Sequence, residues 1–431
     1  MVIVDTALAK LEKEGRPIRV GIFGAGYMGR SIAAQLLKPP AGIRLVAIAN
    51  RTLSKAENAV RDGGVSRFER VASVGQLDAA IARSELCVTQ DHSLLCNASN
   101  IDVLIDATSD MDCGVRVVLQ ALENRKHVVL LNAALDSTVG PILKTYADRN
   151  NVVITYTDGE EPGVAVNLFR YVKTIGLNPV AAGNLKGLLD PYRTPETQRA
   201  FAERIGQSAP MITSFADGTK LSMECTILAN STGLRVGKRG MYGPKCAHVK
   251  EASNLFPPED LLNGGLVDFV LGAEPHTGAF VIGHTEHPID KEFLSYFKMG
   301  DGPFYVFYTP FHLPQIQVIP TIARAALFHD PTTSPVGKPV CDVLTIAKRD
   351  LKAGETLDGI GGFTCYGVIE NADVAQKENL LPMGLSEGCR LKRDIPKDLA
   401  LTFDDVEVPH GRLCDKLRAE QDQHFYASVS A

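Results

Sequence analysis

The chain has 431 residues, enough for two or three domains that bury full cores. A net charge of −5 without a basic run excludes a nucleic-acid-binding surface. Nine scattered cysteines without a CxxC pair exclude a disulfide framework or a cysteine zinc site, and an apolar run long enough for a membrane span is missing, so a soluble cytoplasmic protein with reduced thiols and no membrane partner is expected.

Residues 1–17 predict a lead-in helix, with Ala7, Leu8 and Leu11 apolar at helical spacing. Ile18–Arg51 then reads as strand, glycine-rich turn, helix, strand. An apolar run ends in Gly24-Ala25-Gly26-Tyr27-Met28-Gly29, and Ile32, Ala33, Leu36 and Leu37 follow at helical spacing. Such a unit binds the pyrophosphate of a dinucleotide. Gly24 permits the turn, Gly26 lets backbone approach phosphate, and Gly29 lets helix and strand pack; the N–H groups at the helix start then meet the negative charge. An acidic residue about 20 residues past the glycines would hold the ribose hydroxyls of NAD. Here the second strand ends in Asn50-Arg51, with no carboxylate to repel a phosphate and a guanidinium to pair with one, which favours NADPH.

Leu53–Asp62 predicts a helix, Phe68–Cys87 a short strand and a helix, and Val88–Asn100 a polar loop or insertion. Asp102–Asp106 is a buried parallel strand that delivers Thr108-Ser109 to the sheet's carboxyl end, where open sheets bind ligands. Helix Cys113–Asn124, strand Lys126–Leu131 ending at Asn132, helix Ser137–Asn150 and strand Val152–Tyr156 complete the alternation. Residues 1–156 therefore form one doubly wound α/β domain with a parallel sheet. Gly24, Ala25, Gly26, Tyr27, Met28, Gly29, Asn50, Arg51, Thr108, Ser109 and Asn132 are its cofactor-binding candidates.

Residues 157–338 change pattern. Asp158-Gly159-Glu160-Glu161-Pro162-Gly163 crowds carboxylates past a strand, which suits a metal or substrate contact, or an acidic cap on helix Val164–Ile175. Val180–Leu189 predicts a strand carrying Lys186, followed by Asp190 and helix Thr194–Gly206. Lys220 and Glu224 lie one turn apart on a helix that Asp217 could cap. A lysine can give a proton to a carbonyl oxygen as hydride arrives, with a carboxylate orienting it; the bland alternative is an exposed ion pair. Arg235–Gly240 is the densest basic patch, able to hold a phosphate or to line a solvated loop. Phe304–Tyr308 predicts a strand and Pro320–Phe328 a helix; His276, His284, His287 and His312 lack metal spacing and read as structural or surface residues. Asp330–Pro339 reads as a linker. Residues 339–431 read as a small β-rich module with a helical tail over Gly411–Ala431.

The segments DGEEPGV (158–164), DGTKLSMECTILANSTG (217–233) and LPMGLSEGCRLKRDIPKDLALTFDDV (381–406) resemble the homoserine-dehydrogenase-like oxidoreductases that carry a C-terminal SAF module. Within that group the chain resembles the deoxyxylulose phosphate reductoisomerase-like enzymes. The resemblance implies a Rossmann NADP-binding domain (1–156), an α+β catalytic and dimerisation domain (157–338) and an SAF-like domain (339–431). In homoserine dehydrogenases a substrate-contacting lysine follows the strand-end asparagine; here Asn132 is followed by Ala133.

The resulting expectation is an NADPH-dependent reductoisomerase of isoprenoid precursor synthesis, a homodimer acting on a small phosphorylated keto sugar. Lys220, Glu224, Asp217, Lys186 and Asp190 are its catalytic candidates, and Glu160, Glu161, Asn230 and Arg235 its substrate contacts. Mg²⁺ or Mn²⁺ on Glu160, Glu161 and Glu224 would act as Lewis acid, with Asp158 and Asp190 as further acidic candidates. The alternatives are an NADP-dependent dehydrogenase of homoserine-like or sugar-acid substrates, and a non-catalytic NADPH-binding sensor.

Overall fold

The computed structural model describes residues 4–38 and 41–426. They fold as two compact units. The first runs up to Glu160 and takes in Leu313–Ser334 and Lys416–His424; the second is Glu161–His312 with Pro335–Asp415.

In the first unit, β1 (Ile18–Phe23), β2 (Ile43–Ala49), β3 (Glu69–Arg70), β4 (Cys87–Thr89), β5 (Val103–Asp106), β6 (His127–Leu130) and β7 (Ile154–Tyr156) make one parallel sheet, ordered β3-β4-β2-β1-β5-β6-β7. The linking helices are α1 (Val4–Lys13), α2 (Tyr27–Leu37), α3 (Leu53–Asp62), α4 (Val74–Ala82), α5 (His92–Asn97), α6 (Met111–Glu123) and α7 (Ala133–Arg149). Parallel strands covered by helices must be apolar along their whole length, and Val20, Ile22, Ile48, Val103, Ile105 and Val129 are all fully buried. The strand order reverses between β1 and β5, which leaves a crevice at their carboxyl ends.

Two boundaries differ from those the sequence suggests. Val88–Asn100 is not a loop: β4 ends there, and α5 starts where the Asp91 carboxylate accepts from the Ser93 N–H at 2.9 Å. A strand of three residues is too short to read as a periodic pattern. Helix α7 begins four residues early because the Asn132 side chain caps it, accepting from the Leu135 N–H at 3.1 Å.

The stretch that reads as a linker is pinned instead. Thr332 N–H donates to Thr155 Oγ1 at 2.9 Å and Tyr156 N–H donates to Thr333 O at 3.2 Å, so this segment lies along the edge of β7. Helix Val318–Phe328 adds Val318, Ile322 and Ala323 to the sheet's core. Asp158 serves the same assembly: Arg324 Nη1 donates to its Oδ1 at 2.8 Å, and the hydroxyls of Thr332 and Thr321 donate to its Oδ2 at 2.8 and 2.9 Å. Its carboxylate is spent on the fold.

The second unit is built on β8 (Asn178–Lys186), β9 (Leu266–Leu271), β10 (Ala279–His284) and β11 (Phe304–Thr309), ordered β11-β10-β8-β9 with β8 and β9 parallel and the other pairs antiparallel. Helices α8 (Glu161–Thr174), α9 (Pro195–Ile205), α10 (Ala209–Ala216) and α11 (Thr219–Thr232) follow the chain between β7 and β9. Val164 and Val172 of α8 meet Leu221, Cys225 and Leu228 of α11 over Ala182, Val267 and Val281 of the sheet. The strands β12 (Cys341–Ala347) and β13 (Cys365–Asn371) pair antiparallel, as do β14 (Arg390–Leu391) and β15 (Val406–Glu407). Leu351, Leu357, Leu381, Leu391, Ile395 and Leu401 form a small core among them. Helix α11 is bonded to β13 at two points: Ser222 Oγ donates to Gly367 O at 3.0 Å and Gly367 N–H donates to Thr219 Oγ1 at 2.8 Å.

Candidate functional site

The first unit presents a cleft at the carboxyl ends of β1 and β5. Gly24 has φ +95°, and a Cβ there would sit 2.7 Å from Ala107 O; on Gly29 a Cβ would sit 1.9 Å from Gly24 O. Both positions require glycine. A Cβ on Gly26 would meet no atom within 4 Å, so the fold itself places no steric demand on this position and the backbone here is open to a ligand. Helix α2 starts at Tyr27 with no side chain capping its N–H groups. An open glycine before an uncapped helix start fits a pyrophosphate. Asn50 fixes the turn from the end of β2, its Oδ1 accepting from Ala25 N–H at 2.9 Å and its Nδ2 donating to Thr52 O at 2.8 Å. Arg51 and Ser109 are exposed; Tyr27 and Met28 form the first turn of α2.

The second unit gathers a buried charge cluster. Lys186 at the end of β8 donates to both Glu161 oxygens at 3.0 and 2.9 Å and lies 3.6 Å from Glu224. Lys220 lies 3.4 Å from the other Glu224 oxygen, one helical turn away as the spacing predicts. Asn184 Nδ2 donates to Glu224 at 3.0 Å, and His312 Nδ1 lies 3.9 Å from Glu161 while bonding Thr277 Oγ1 at 2.9 Å. Burial, then the neighbouring Glu224, pushes the Glu161 carboxyl well above its usual range. Burial also opposes ionisation of Glu224, but the ammoniums of Lys186 and Lys220 outweigh it and hold that carboxyl low. The two carboxyls are therefore driven in opposite directions, Glu161 toward its neutral form and Glu224 toward its charged form. Burial works against the Lys186 charge, and the two carboxyls more than restore it. Burial, with help from the two lysines and against the pull of Glu224, pushes the His312 imidazole below its usual range.

Other residues singled out from the sequence are placed elsewhere. Asp217 is buried and accepts from Lys348 Nζ at 2.8 Å, while its other oxygen accepts from Thr219 N–H at 2.9 Å. Asp190 pairs with Arg193 at 2.9 Å in a turn. Asn230 Oδ1 accepts from the N–H groups of Val340 and Cys341 at 2.8 and 3.1 Å. Arg235 pairs with Asp373 at 2.6 Å, and Arg239 with Glu370 and Glu378 at 2.8 and 2.7 Å, so the basic patch is already compensated. Glu160 is buried at the end of the first unit. Asn184 and His312 were missed. Asn184 was legible, since residues two apart on a strand share a face and Lys186 is its neighbour in that sense; His312 comes from a loop and carries no periodic signal.

A divalent metal does not fit these donors. The Glu161 and Glu224 oxygens converge on an ammonium, and among the described residues no group of three His, Cys, Asp or Glu side chains is arranged to hold an ion. The expected Mg²⁺ or Mn²⁺ site on Glu160, Glu161 and Glu224 is corrected accordingly. Among the described residues no helix is long and apolar enough to cross a membrane.

Residues 18–130 match the model of an oxidoreductase family with an NAD-binding Rossmann fold, and residues 159–318 match that of the oxidoreductase DRL catalytic domain. No curated protein matches. Solved structures that match include myo-inositol dehydrogenase from Lactobacillus casei in complex with NAD(H) and myo-inositol (15% identity, 74% of this chain and 88% of that one, TM-score 0.39). A myo-inositol dehydrogenase from Corynebacterium glutamicum also matches (12%, 63% and 73%, TM-score 0.36), as does an NAD binding oxidoreductase from Klebsiella pneumoniae (19%, 40% and 43%, TM-score 0.29). The chain thus spans less than half the length of the Klebsiella protein. Both family models are oxidoreductase models, and the chain is an oxidoreductase with a Rossmann unit of the NAD-binding type. They overturn the reductoisomerase reading and its place in isoprenoid precursor synthesis: both matched models describe oxidoreductases, and neither description names an isomerising step. The sensor alternative falls with the same finding.

Two outcomes follow from this geometry. Gly26→Val fills open space, so its melting temperature should stay within a few degrees of the parent while affinity for a reduced nicotinamide dinucleotide, measured by fluorescence, falls more than about tenfold; unchanged affinity would remove the cleft from cofactor binding. Asp106 and Asp136 are both buried and pushed up to about 7, in each case chiefly by burial. The folded state then holds protons that the unfolded chain has released, so stability to urea should decline as pH rises from about 4 to 7. Asp136→Asn should flatten that decline; an unchanged slope would contradict the assignment.

Proposed function

We propose that this oxidoreductase interconverts a hydroxyl and a carbonyl on a small polyhydroxylated acid of the sugar-acid type, with NADP(H) as redox partner. The observation that carries the reading is the charge count in the buried cluster. Lys186 and Lys220 bring two positive charges, Glu224 brings one negative charge, and burial beside Glu224 pushes the Glu161 carboxyl toward its neutral form. One positive charge is left over among these four groups, which suits a substrate carboxylate or an oxygen that turns anionic during the reaction.

The dinucleotide, when bound, supplies or accepts the hydride. The chain's own residues manage the proton. Lys220 gives a proton to the substrate oxygen in reduction and takes it back in oxidation. Glu224 orients Lys220, and Asn184 and Lys186 fix Glu224 in turn. Glu161 neutralises part of the Lys186 field without adding a second full negative charge. A preference for NADP(H) is supported by the end of β2, where Asn50 is committed to the glycine turn and Arg51 is exposed with no carboxylate beside it in sequence. Asn132 serves as a helix cap, which leaves the homoserine-type lysine without a counterpart here.

Lys220→Ala should abolish NADP⁺-dependent oxidation across a panel of sugar acids while NADPH titrates the variant as it does the parent; retained turnover would exclude Lys220 as the proton donor. Neutral polyols of the same length should show a Michaelis constant at least about tenfold higher than their acids, as the loss of one charge-assisted contact demands. Arg51→Asp should raise the Michaelis constant for NADPH far more than that for NADH, and equal effects would rule out a phosphate contact.

A further inference from the structure

Behind the glycine turn lies a polar junction that neither the hydride nor the proton chemistry uses. Asp106 ends β5 and is wholly buried. Its Oδ1 accepts from the Thr108 N–H at 2.8 Å and from Thr108 Oγ1 at 2.7 Å. The segment so fixed packs on the glycine turn: a Cβ on Gly24 would lie 2.7 Å from Ala107 O and 3.1 Å from Thr108 Cγ2. Its Oδ2 has no partner at full hydrogen-bonding geometry, and neither does Asn132 Nδ2; both atoms are buried. They face the same spot, since a Cβ on Gly114 of α6 would lie 3.1 Å from Asn132 Nδ2 and 3.3 Å from Asp106 Oδ2. The other end of the Asn132 amide caps α7. One carboxylate therefore ties together the turn after β1, the turn after β5 and the helix start after β6.

We propose that Asp106 and Asn132 form a polarity-matched positioning pair, which sets dinucleotide affinity by holding these three strand ends in register without touching the ligand. The match is directional. Thr108 and Leu135 each need an acceptor, which commits one oxygen of Asp106 and the single oxygen of Asn132. What remains is an acceptor on Asp106 and a donor on Asn132. An unmatched polar atom here has no water to turn to, so the neighbouring turn must move instead. Burial favours the neutral form of Asp106, while the bonds from Thr108 and the Asn132 amide oppose it. The inference rests on the Rossmann unit binding a dinucleotide and is independent of the substrate proposed above.

The experiment is a polarity swap read by direct titration with NADPH and NADH, alongside thermal melting. Measured at about pH 9, where Asp106 is ionised in the parent, Asp106→Asn sets two donors against each other and Asn132→Asp sets two carboxylates that can meet only by taking up a proton; each should weaken NADPH binding by about tenfold, the scale of one misplaced buried hydrogen bond. The double variant Asp106→Asn/Asn132→Asp restores one donor facing one acceptor and keeps both outer bonds, so its affinity should return to within about twofold to threefold of the parent, on the same scale. Singles that bind normally would overturn the proposal. So would a double variant no better than the singles, because a merely structural role would add the two losses rather than cancel them. If the single variants do not fold, the double variant decides alone: a folded protein that binds NADPH supports the pair, and one that fails to fold or bind contradicts it. Failure of the parent itself to bind either nucleotide would instead remove the cofactor cleft.

Discussion

Removing four ionisable side chains from water at one point is tolerable only because they compensate one another. Lys186, Lys220, Glu161 and Glu224 do so within contacts of 2.9 to 3.6 Å. Any one of them alone at that depth would cost several kcal/mol. With the Glu161 carboxyl pushed toward its neutral form and Glu224 toward its charged form, the four groups lean toward a net positive charge. The second unit's topology exists to hold this arrangement. The two-residue period of β8 keeps Asn184 and Lys186 on one face, and the packing of α8 on α11 lets Lys186 reach both Glu161 at the start of α8 and Glu224 in the second turn of α11.

The first unit solves a different problem with backbone rather than charge. Its glycines stand where a single methyl group would strike a neighbouring carbonyl, at Gly24 and Gly29, or where nothing stands at all, at Gly26. The contrast separates glycine kept for the fold from glycine kept for a ligand. Several conspicuous polar residues serve the fold: Asp158, Asp217 and Asn230 each neutralise or satisfy a buried partner that folding would otherwise strand.

Much of this could be read from the residues in order. The alternation of apolar runs and helical spacing located six of the sheet's seven strands and missed the short β4, and the Lys220–Glu224 pair followed from one turn of helix. Lys186 and Glu161 were named, but their meeting depends on strand pairing and helix packing, which no local pattern encodes. Sequence proximity misled in three places. Glu160 sits beside Glu161 in the chain and Asp158 two residues earlier, yet Asp158 serves Arg324. The Pro- and Thr-rich stretch after Asp330 has a linker's composition, but buried threonines pin it to β7. The crowded basic residues near Arg235 suggested a phosphate, while their acidic partners lie more than 130 positions along the chain. The metal expectation failed for the same reason, since carboxylates count as ligands only until a lysine is known to lie between them.

The central claim is that the cluster holds one carboxyl protonated at neutral pH and is left with a net positive charge. Isotope-edited infrared spectroscopy of the parent and of Glu161→Gln measures this directly. The difference spectrum should contain the carbonyl stretch of a single un-ionised glutamic acid at pH 7. A difference made only of ionised carboxylate bands would show that the four charges cancel, and the case for an anionic substrate would fail with it.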